Sequence, residues 1–399
     1  MTPANNLTIG VPAKQQQLQA VLDRSVSENQ APFMVGMVVD AAGTTFSGAA
    51  GQAAAGLPAD LDTVCRIFSM SKAIGSTAAM ILIDRGLLSI DATVASVLPA
   101  FAGVRVLDGY DASGKPVLRA PRVNATIRHL ATHTSGLEYE FWRAEQAGYL
   151  QATGGGGVLA STNLQQTLLN DYPMLTEPGT RWAYGVSIDW LGLVVEAVSG
   201  MKMMDFLREN LLGPLGMADT DAVVRDHMKA RLATLSLRGA EGMFEAFPVE
   251  PPATADTFGM GHALYSTARD YAKFLRLILN KGTLDGQRVL SEAAVAQLLA
   301  NQTPSGMTVQ PLITVSPLSA SFNPFPAITK THGFAFMRVE GDVPGMRRAG
   351  SVAWAGVCNS HYWIDPTSGI AGIYMTQTLP FVEAPYMEGY EAFERAAYA

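Results

Sequence analysis

Residues 66–86 read RIFSMSKAIGSTAAMILIDRG. From Lys72 to Arg85 the pattern is helical: Ile74, Ala78, Ile81 and Leu82 form a stripe, and Gly86 suits a helix C-terminus. Ser69 therefore falls at or near the helix N-terminus, and Lys72 lies about one turn further on the same side. A serine hydroxyl attacks well only when a neighbouring base takes its proton, and a lysine desolvated in a pocket can serve as that base. The helix N-terminus adds N–H groups and partial positive charge where an oxyanion would form. Ser71 falls on another side of the helix. A Ser-x-x-Lys tetrad alone also fits a capped helix with a solvated lysine, and about one is expected by chance in a chain of this length. Its partners elsewhere must decide.

The chain around it has 399 residues, 48% hydrophobic and 16% charged, enough apolar material for a large core and too little charge for disorder. A net charge of −7 offers no basic footprint for nucleic acid. No apolar run approaches a membrane span; AAMILIDRGLL is broken by Asp84 and Arg85. The opening segment MTPANNLTIGVPAKQQQLQA lacks the basic and then apolar pattern of a secretory signal, so a cytoplasmic location is expected. Two cysteines, Cys65 and Cys358, are too few for a disulfide framework and read as reduced core thiols, though both flank segments that matter below. The six histidines show no metal-ligand spacing, so neither a metal nor a cofactor is expected. The expected partner is a small molecule; oligomeric state is not legible.

Along the chain, a first helix is expected from Ala13 to Asn29, then two strands, MVGMVVD and TTFSGAAG, joined across AAG. From Ala92 to Gly261 helices such as Ser187 to Ser199 alternate with long loops, among them GGGG at 154–157, which lacks the context of a phosphate-binding loop. A helix in TARDYAKFLRLILNKG is followed by a proline-rich surface loop at 304–326. The strands GFAFMRVEG, NSHYWID and GIAGIYMTQ come next. Strands at both ends and helices in the middle predict a discontinuous α/β domain, residues 1–91 and 262–399, carrying a mainly helical domain, 92–261. The loops at 138–162 and 302–330 are expected to shape a pocket between them.

IFSMSKAIGSTAAMILIDRGLLSIDATVASVLPAF (67–101) resembles the nucleophile helix of the penicillin-recognising serine hydrolases, which include class C β-lactamases, DD-peptidases and family VIII carboxylesterases. IRHLATHTSGL (127–137), EPGTRWAYGVSIDWLGLVVEAVSG (177–200), GMGHALYSTARDYAKFL (259–275) and WAGVCNSHYWIDP (354–366) are similar to further stretches of that superfamily, in the same order. The resemblance runs from about residue 13 to 380. It implies a β-lactamase/transpeptidase-like α/β (α+β) fold, with an antiparallel sheet flanked by helices and a helical insertion. It also implies that Tyr184, after the PGTRW turn, joins Ser69 and Lys72 as the third catalytic residue. A phenol near pKa 10 is a weak base at neutral pH, but an adjacent ammonium favours its phenolate or a shared proton. Whether Lys72 or Tyr184 takes the serine proton stays open.

Two departures narrow the activity that the resemblance implies. Val186 stands where β-lactamases and peptidases carry the asparagine of Tyr-x-Asn. Trp354-Ala355-Gly356 stands where they carry Lys-Thr-Gly, and is similar to the Trp-Gly-Gly usual in family VIII. Without those two polar contacts a lactam loses its recognition, and a tryptophan gives an apolar wall suited to an uncharged acyl or alcohol group. The resemblance makes the amides of Ser69 and Val357 the oxyanion hole. It places Trp354, Ala355, Gly356 and Val186 at the substrate; His361, next to the Trp354 segment, is a candidate for the pocket lining, and as a strand residue can equally face the core. His133 is expected to be structural, and Asp189 and Glu196 to pack or face solvent. The expected activity is a serine carboxylesterase acting on small esters with short acyl chains. The alternatives are an acyltransferase using the same acyl-enzyme, a β-lactamase or DD-peptidase with weak lactam activity, or a non-catalytic binding protein.

Overall fold

The computed structural model describes residues 13–248 and 258–399; the first twelve residues of the segment examined for an export signal lie outside it. The elements that matter are α1 (Ala13–Ser27), β1 (Phe33–Asp40), β2 (Thr44–Ala54), β3 (Leu57–Pro58) and α2 (Ser71–Asp84). They are followed by α3 (Ser187–Ser199), α4 (Ala268–Leu279), β4 (Lys330–His332), β5 (Met337–Val339), β6 (Val352–Gly356), β7 (Ser360–Asp365), β8 (Ile370–Met375) and α5 (Ala384–Tyr398). One eight-stranded sheet in the order β4-β5-β6-β7-β8-β1-β2-β3 takes its strands from both ends of the chain. Its neighbours are antiparallel throughout, with Val35 opposite Met375 and Trp354 opposite Tyr362.

β1 is apolar along nearly its whole length because both of its faces are covered. Met34 and Val38 pack with Leu18 and Leu22 of α1 and Phe393 of α5. Val35, Met37 and Val39 face the other way, into the cluster that holds Ile74 and Ile81 of α2. Side chains alternate across a strand, so one strand serves two cores. α2 is buried from Ser71 to Leu82, the mark of a helix that runs through a core instead of over it. It lies against α3 with Met260 between them. A Cβ on Gly75 would come within 2.6 Å of Met260 Cβ, and one on Gly192 within 3.0 Å of Met260 Cγ. Only glycine permits that approach from both sides.

Three expectations change. GFAFMRVEG is not one strand: Ala335 sits at φ +117°, and a turn bonds the Gly333 amide to the Phe336 carbonyl, so β4 and β5 form a hairpin around it. The first helix ends at Ser27 because the chain reverses through Asn29 at φ +56°. The proline-rich loop is not wholly at the surface, since a Leu312–Phe322 bridge folds both of those side chains inward. Among the described residues, no helix is long and apolar enough to cross a membrane.

The segment before β6 is tied to α5 by a buried ion pair. Arg347 and Glu394 are about 1% and 0% exposed, with Arg347 Nε 2.7 Å from Glu394 Oε1 and Tyr390 also accepting from the guanidinium. Removing one partner of such a pair leaves a buried charge uncompensated, which costs about 3–5 kcal/mol, whereas replacing both with apolar groups is often neutral. Arg347→Met is therefore expected to lower the urea midpoint strongly and the Arg347→Met/Glu394→Leu double variant to recover most of it. A double variant no more stable than the single one would contradict this.

Candidate active site

Ser69 lies in the 3-10 turn Phe68–Met70, which leads directly into α2. Phe68 is held at φ +40°, a left-handed conformation that a bulky side chain adopts only when its surroundings impose it. The end of β6 presses on the same turn. A Cβ on Gly356 would sit 2.3 Å from the Ile67 carbonyl oxygen, so glycine alone lets the strand run this close. Ser69 and Val357, from opposite parts of the chain, thereby line one cavity.

The Lys72 ammonium is buried beneath Ser69, and its three N–H groups meet three acceptors. They reach Ser69 Oγ at 3.1 Å, Tyr139 OH at 3.2 Å and the Gly261 carbonyl at 2.8 Å. The faces of Tyr184 and Tyr139 lie 4.9 Å and 5.1 Å from Nζ, a further source of cation stabilisation. Tyr184 OH donates to Ser69 Oγ at 2.8 Å and accepts from the indole Nε1 of Trp354 at 3.1 Å. The serine oxygen is thus in hydrogen-bond reach of both groups that could move its proton. Trp354 is more than an apolar wall, because its N–H stabilises negative charge on the phenol oxygen.

Sequence reasoning missed part of this support. Tyr139, two residues past the HTSGL stretch, is a second phenol on Lys72, and burial holds its proton well above the ordinary tyrosine range. Asp189 was expected to pack or face solvent, yet it is fully buried and accepts from the Gly261 amide at 2.8 Å, fixing the loop whose carbonyl holds Lys72. Burial alone would raise its pKa, but His262 beside it and the Lys72 charge outweigh that and hold it lowered. The signal lay in Gly-Met-Gly at 259–261: Cβ atoms on Gly259 and Gly261 would fall 2.2 Å and 2.5 Å from the Asp189 oxygens. The sequence shows the glycines, not what they wrap around.

Of the residues placed at the substrate, Trp354 and Ala355 line the cavity, as does Val357 of the expected oxyanion hole, and Gly356 acts through its missing side chain. Val186 does not line it; immediately before α3 its side chain is fully buried in the main core. His361 does not line it either. It projects from β7 toward α5, with ring centroids 4.6 Å from Tyr390 and 5.3 Å from Tyr386, and burial holds its imidazole neutral, down to about 3. His133 packs against Tyr184 at 4.9 Å, and its burial and nearby positive charge push its pKa well below the usual value. Cys65 and Cys358 are both free and buried, and burial pushes both thiols up; Cys358 reaches the cavity wall. Among the described residues, no three His, Cys, Asp or Glu side chains are grouped to hold a metal.

The cavity measures about 1150 Å³, counting the part open to solvent. Its walls are mainly apolar and aromatic: Phe141 and Trp142 from the loop after Glu138, Leu312 and Phe322 from the proline-rich loop, and Phe381 beyond β8.

A family model described as Beta-lactamase matches residues 18–396. Monacolin J acid methylbutanoyltransferase of Aspergillus terreus is 30% identical over 354 residues, covering 86% of this chain and 83% of its own. Lovastatin esterase of Penicillium rubens is 28% identical over 361 residues, covering 83% of each. The unliganded structure of simvastatin synthase from Aspergillus terreus superposes with a TM-score of 0.83 at 26% identity, over 98% of this chain and 99% of that one.

The contact of Gly356 with Ile67 generates a test. Gly356→Ala forces β6 from the Ser69 turn, which is expected to cost about 1–3 kcal/mol of stability. A displacement approaching 1 Å is expected to lower kcat on a 4-nitrophenyl ester by on the order of a hundredfold. Full turnover in this variant would show that β6 does not set the geometry at Ser69.

Proposed function

The chain belongs to the Beta-lactamase family, as an enzyme that works through a serine acyl-enzyme, and from that footing we propose a carboxylesterase of the family VIII type. One observation carries the reading. Ser69 Oγ lies 3.1 Å from Lys72 Nζ and 2.8 Å from Tyr184 OH, facing an apolar cavity. With one member of the Tyr184–Lys72 pair in its basic form, the pair takes the serine proton as Ser69 Oγ bonds to the ester carbonyl carbon. The amides of Ser69 and Val357 hold the tetrahedral oxyanion. As the intermediate collapses, the C–O bond to the alcohol breaks and the leaving oxygen receives the proton from the Tyr184–Lys72 pair. Water then repeats the sequence in reverse sense, bonding to the acyl carbon, giving its proton to the same pair, and releasing the acid and Ser69. Asp189, through Gly261, keeps Lys72 in register.

Acyl transfer to an alcohol is a second reading favoured by a specific observation. The cavity beside Ser69 is walled by Phe141, Trp142, Phe322 and Phe381, and such aromatic walls suit a bulky apolar alcohol as leaving group or acceptor. The names of the relatives, a methylbutanoyltransferase and an esterase, support both outcomes of one acyl-enzyme. On our proposed division at residues 92–261, the cavity lining draws on both units, with Ser69 and Trp354 from one and Tyr139 and Tyr184 from the other. Recognition of a lactam lacks support, since neither Val186 nor Trp354 replaces the missing amide and ammonium.

Ser69→Ala is expected to lower hydrolysis of 4-nitrophenyl butyrate by at least about a thousandfold with an unchanged circular dichroism spectrum, and Tyr184→Phe by about 10²–10⁴-fold. With a lipophilic alcohol added to the wild type, mass spectrometry separates the outcomes: acid alone supports the esterase, and new ester supports transfer. Retained turnover in Ser69→Ala would sink both readings.

A further inference from the structure

Arg66 ends the two-residue strand Cys65–Arg66, which pairs with Tyr265–Ser266, three positions ahead of Ser69. Its backbone is clamped on both sides by Gln377, whose Oε1 accepts from the Arg66 amide at 3.0 Å and whose Nε2 donates to the Arg66 carbonyl at 3.1 Å. The side chain is therefore placed, not adrift. It is 8% exposed and lines the same cavity as Ser69, against Phe68, with the guanidinium carbon 4.6 Å from that ring's centroid.

What it lacks is a counter-charge. Among the described residues, Nε and Nη1 of Arg66 are buried without any hydrogen-bond partner. The lining of the cavity contains no aspartate or glutamate. Burial lowers the guanidinium's pKa, and the groups that offset it are the Tyr265 phenol and the Cys358 thiol. Burial pushes both of these up, so each is neutral at pH 7 and neither is an anion. A guanidinium stays charged in proteins, and a buried charge without a partner is among the least favourable arrangements a fold can hold. Its planar fork matches a carboxylate in two parallel hydrogen bonds, and a desolvated wall strengthens such a pair.

We propose that Arg66 is the anchor for a carboxylate carried by the substrate, so that this cavity takes esters bearing a free carboxylate group at a distance from the scissile bond. The proposal rests on the serine esterase reading for the position of that bond, but not for the anion site itself. Trp354 excludes a cation from the place where the related lactam-binding enzymes present their lysine. Arg66 supplies one to the same cavity from the strand that leads into the nucleophile's turn. The carboxylate can belong to the acyl half or to the alcohol half of the ester, and the same fork would bind either.

Two matched substrate pairs distinguish these sources. On the acyl side, mono-4-nitrophenyl glutarate is compared with its methyl ester; on the alcohol side, 4-(butyryloxy)benzoate is compared with its methyl ester. Each kcat/KM is divided by the rate of hydroxide-catalysed hydrolysis of the same compound. In the wild type at least one pair is expected to favour the acid, mainly through KM. Arg66→Gln is expected to lower that acid-to-methyl-ester ratio by on the order of tenfold to a hundredfold, while Arg66→Lys retains part of it. A wild type that favours the methyl ester in both pairs overturns the proposal even if no variant folds. So does a ratio that survives Arg66→Gln. Calorimetric binding of monomethyl glutarate and of 4-hydroxybenzoate to the Ser69→Ala protein, repeated with Arg66→Gln added, reads the anion site without catalysis. Loss of binding of either ligand in the double variant supports the site whatever becomes of the esterase reading, and equal binding of both overturns it.

Discussion

A lysine ammonium buried under a serine hydroxyl is the constraint to which the rest of this structure answers. Lys72 is 2% exposed, and a charge so placed must find its stabilisation in the fold. It finds it in one carbonyl, two hydroxyls and two aromatic faces, supplied by four residues: Gly261, Ser69, Tyr139 and Tyr184. Gly261 is fixed by Asp189 of α3, Tyr139 comes from the stretch after HTSGL, and Tyr184 stands just before α3. Among the described residues no carboxylate is bonded to Nζ; the buried Asp189 carboxylate acts on it through space. A contacting carboxylate would hold the lysine's proton tightly. The carbonyl and the two hydroxyls instead keep Nζ beside the hydrogen bond that joins Ser69 and Tyr184.

The same constraint explains which parts of the molecule the sequence reveals. The stripe Ile74, Ala78, Ile81, Leu82 predicts α2 because a helix through a core needs apolar positions all round, and Ser187–Ser199 appears at its true limits for the same reason. β1 is legible as a continuous apolar run because two layers cover it. What the periodicity hides is direction across the sheet. His361 and Trp354 lie on paired strands, close in any one-dimensional map, yet His361 points to α5 and Trp354 into the cavity. Val186 follows the same logic, since a position that matches a motif by spacing can still turn its side chain into the core. Asp189 escapes for a different reason. Its role depends on glycines seventy residues later, and a long-range contact leaves no local period.

Glycines carry much of the geometry because the site is built from close approaches. Gly356 against Ile67 sets where β6 meets the nucleophile turn, and Gly75 with Gly192 sets how near α2 and α3 lie around Met260. Around this frame the walls come from two connecting segments: 138–162, expected as a loop but holding a helix over Ala144–Thr153, gives Phe141 and Trp142, and 302–330 gives Leu312 and Phe322. A family that keeps the frame and varies the loops can keep one acyl-enzyme and change its alcohol. Arg66 belongs to the frame, not to the loops, which makes its unpaired charge a property of the site as a whole.

The reaction proposed for this site requires Ser69 to form a covalent acyl intermediate. Mixing the wild type with a molar excess of 4-nitrophenyl butyrate, quenching with acid within the first turnovers and measuring the digested protein by mass spectrometry tests this directly. The account predicts a butyryl adduct on the peptide containing Ser69, localised to Ser69 and not to Ser71, that disappears as substrate is exhausted. Steady turnover with no adduct at Ser69, or an adduct on another residue that forms and decays at the turnover rate, would contradict it.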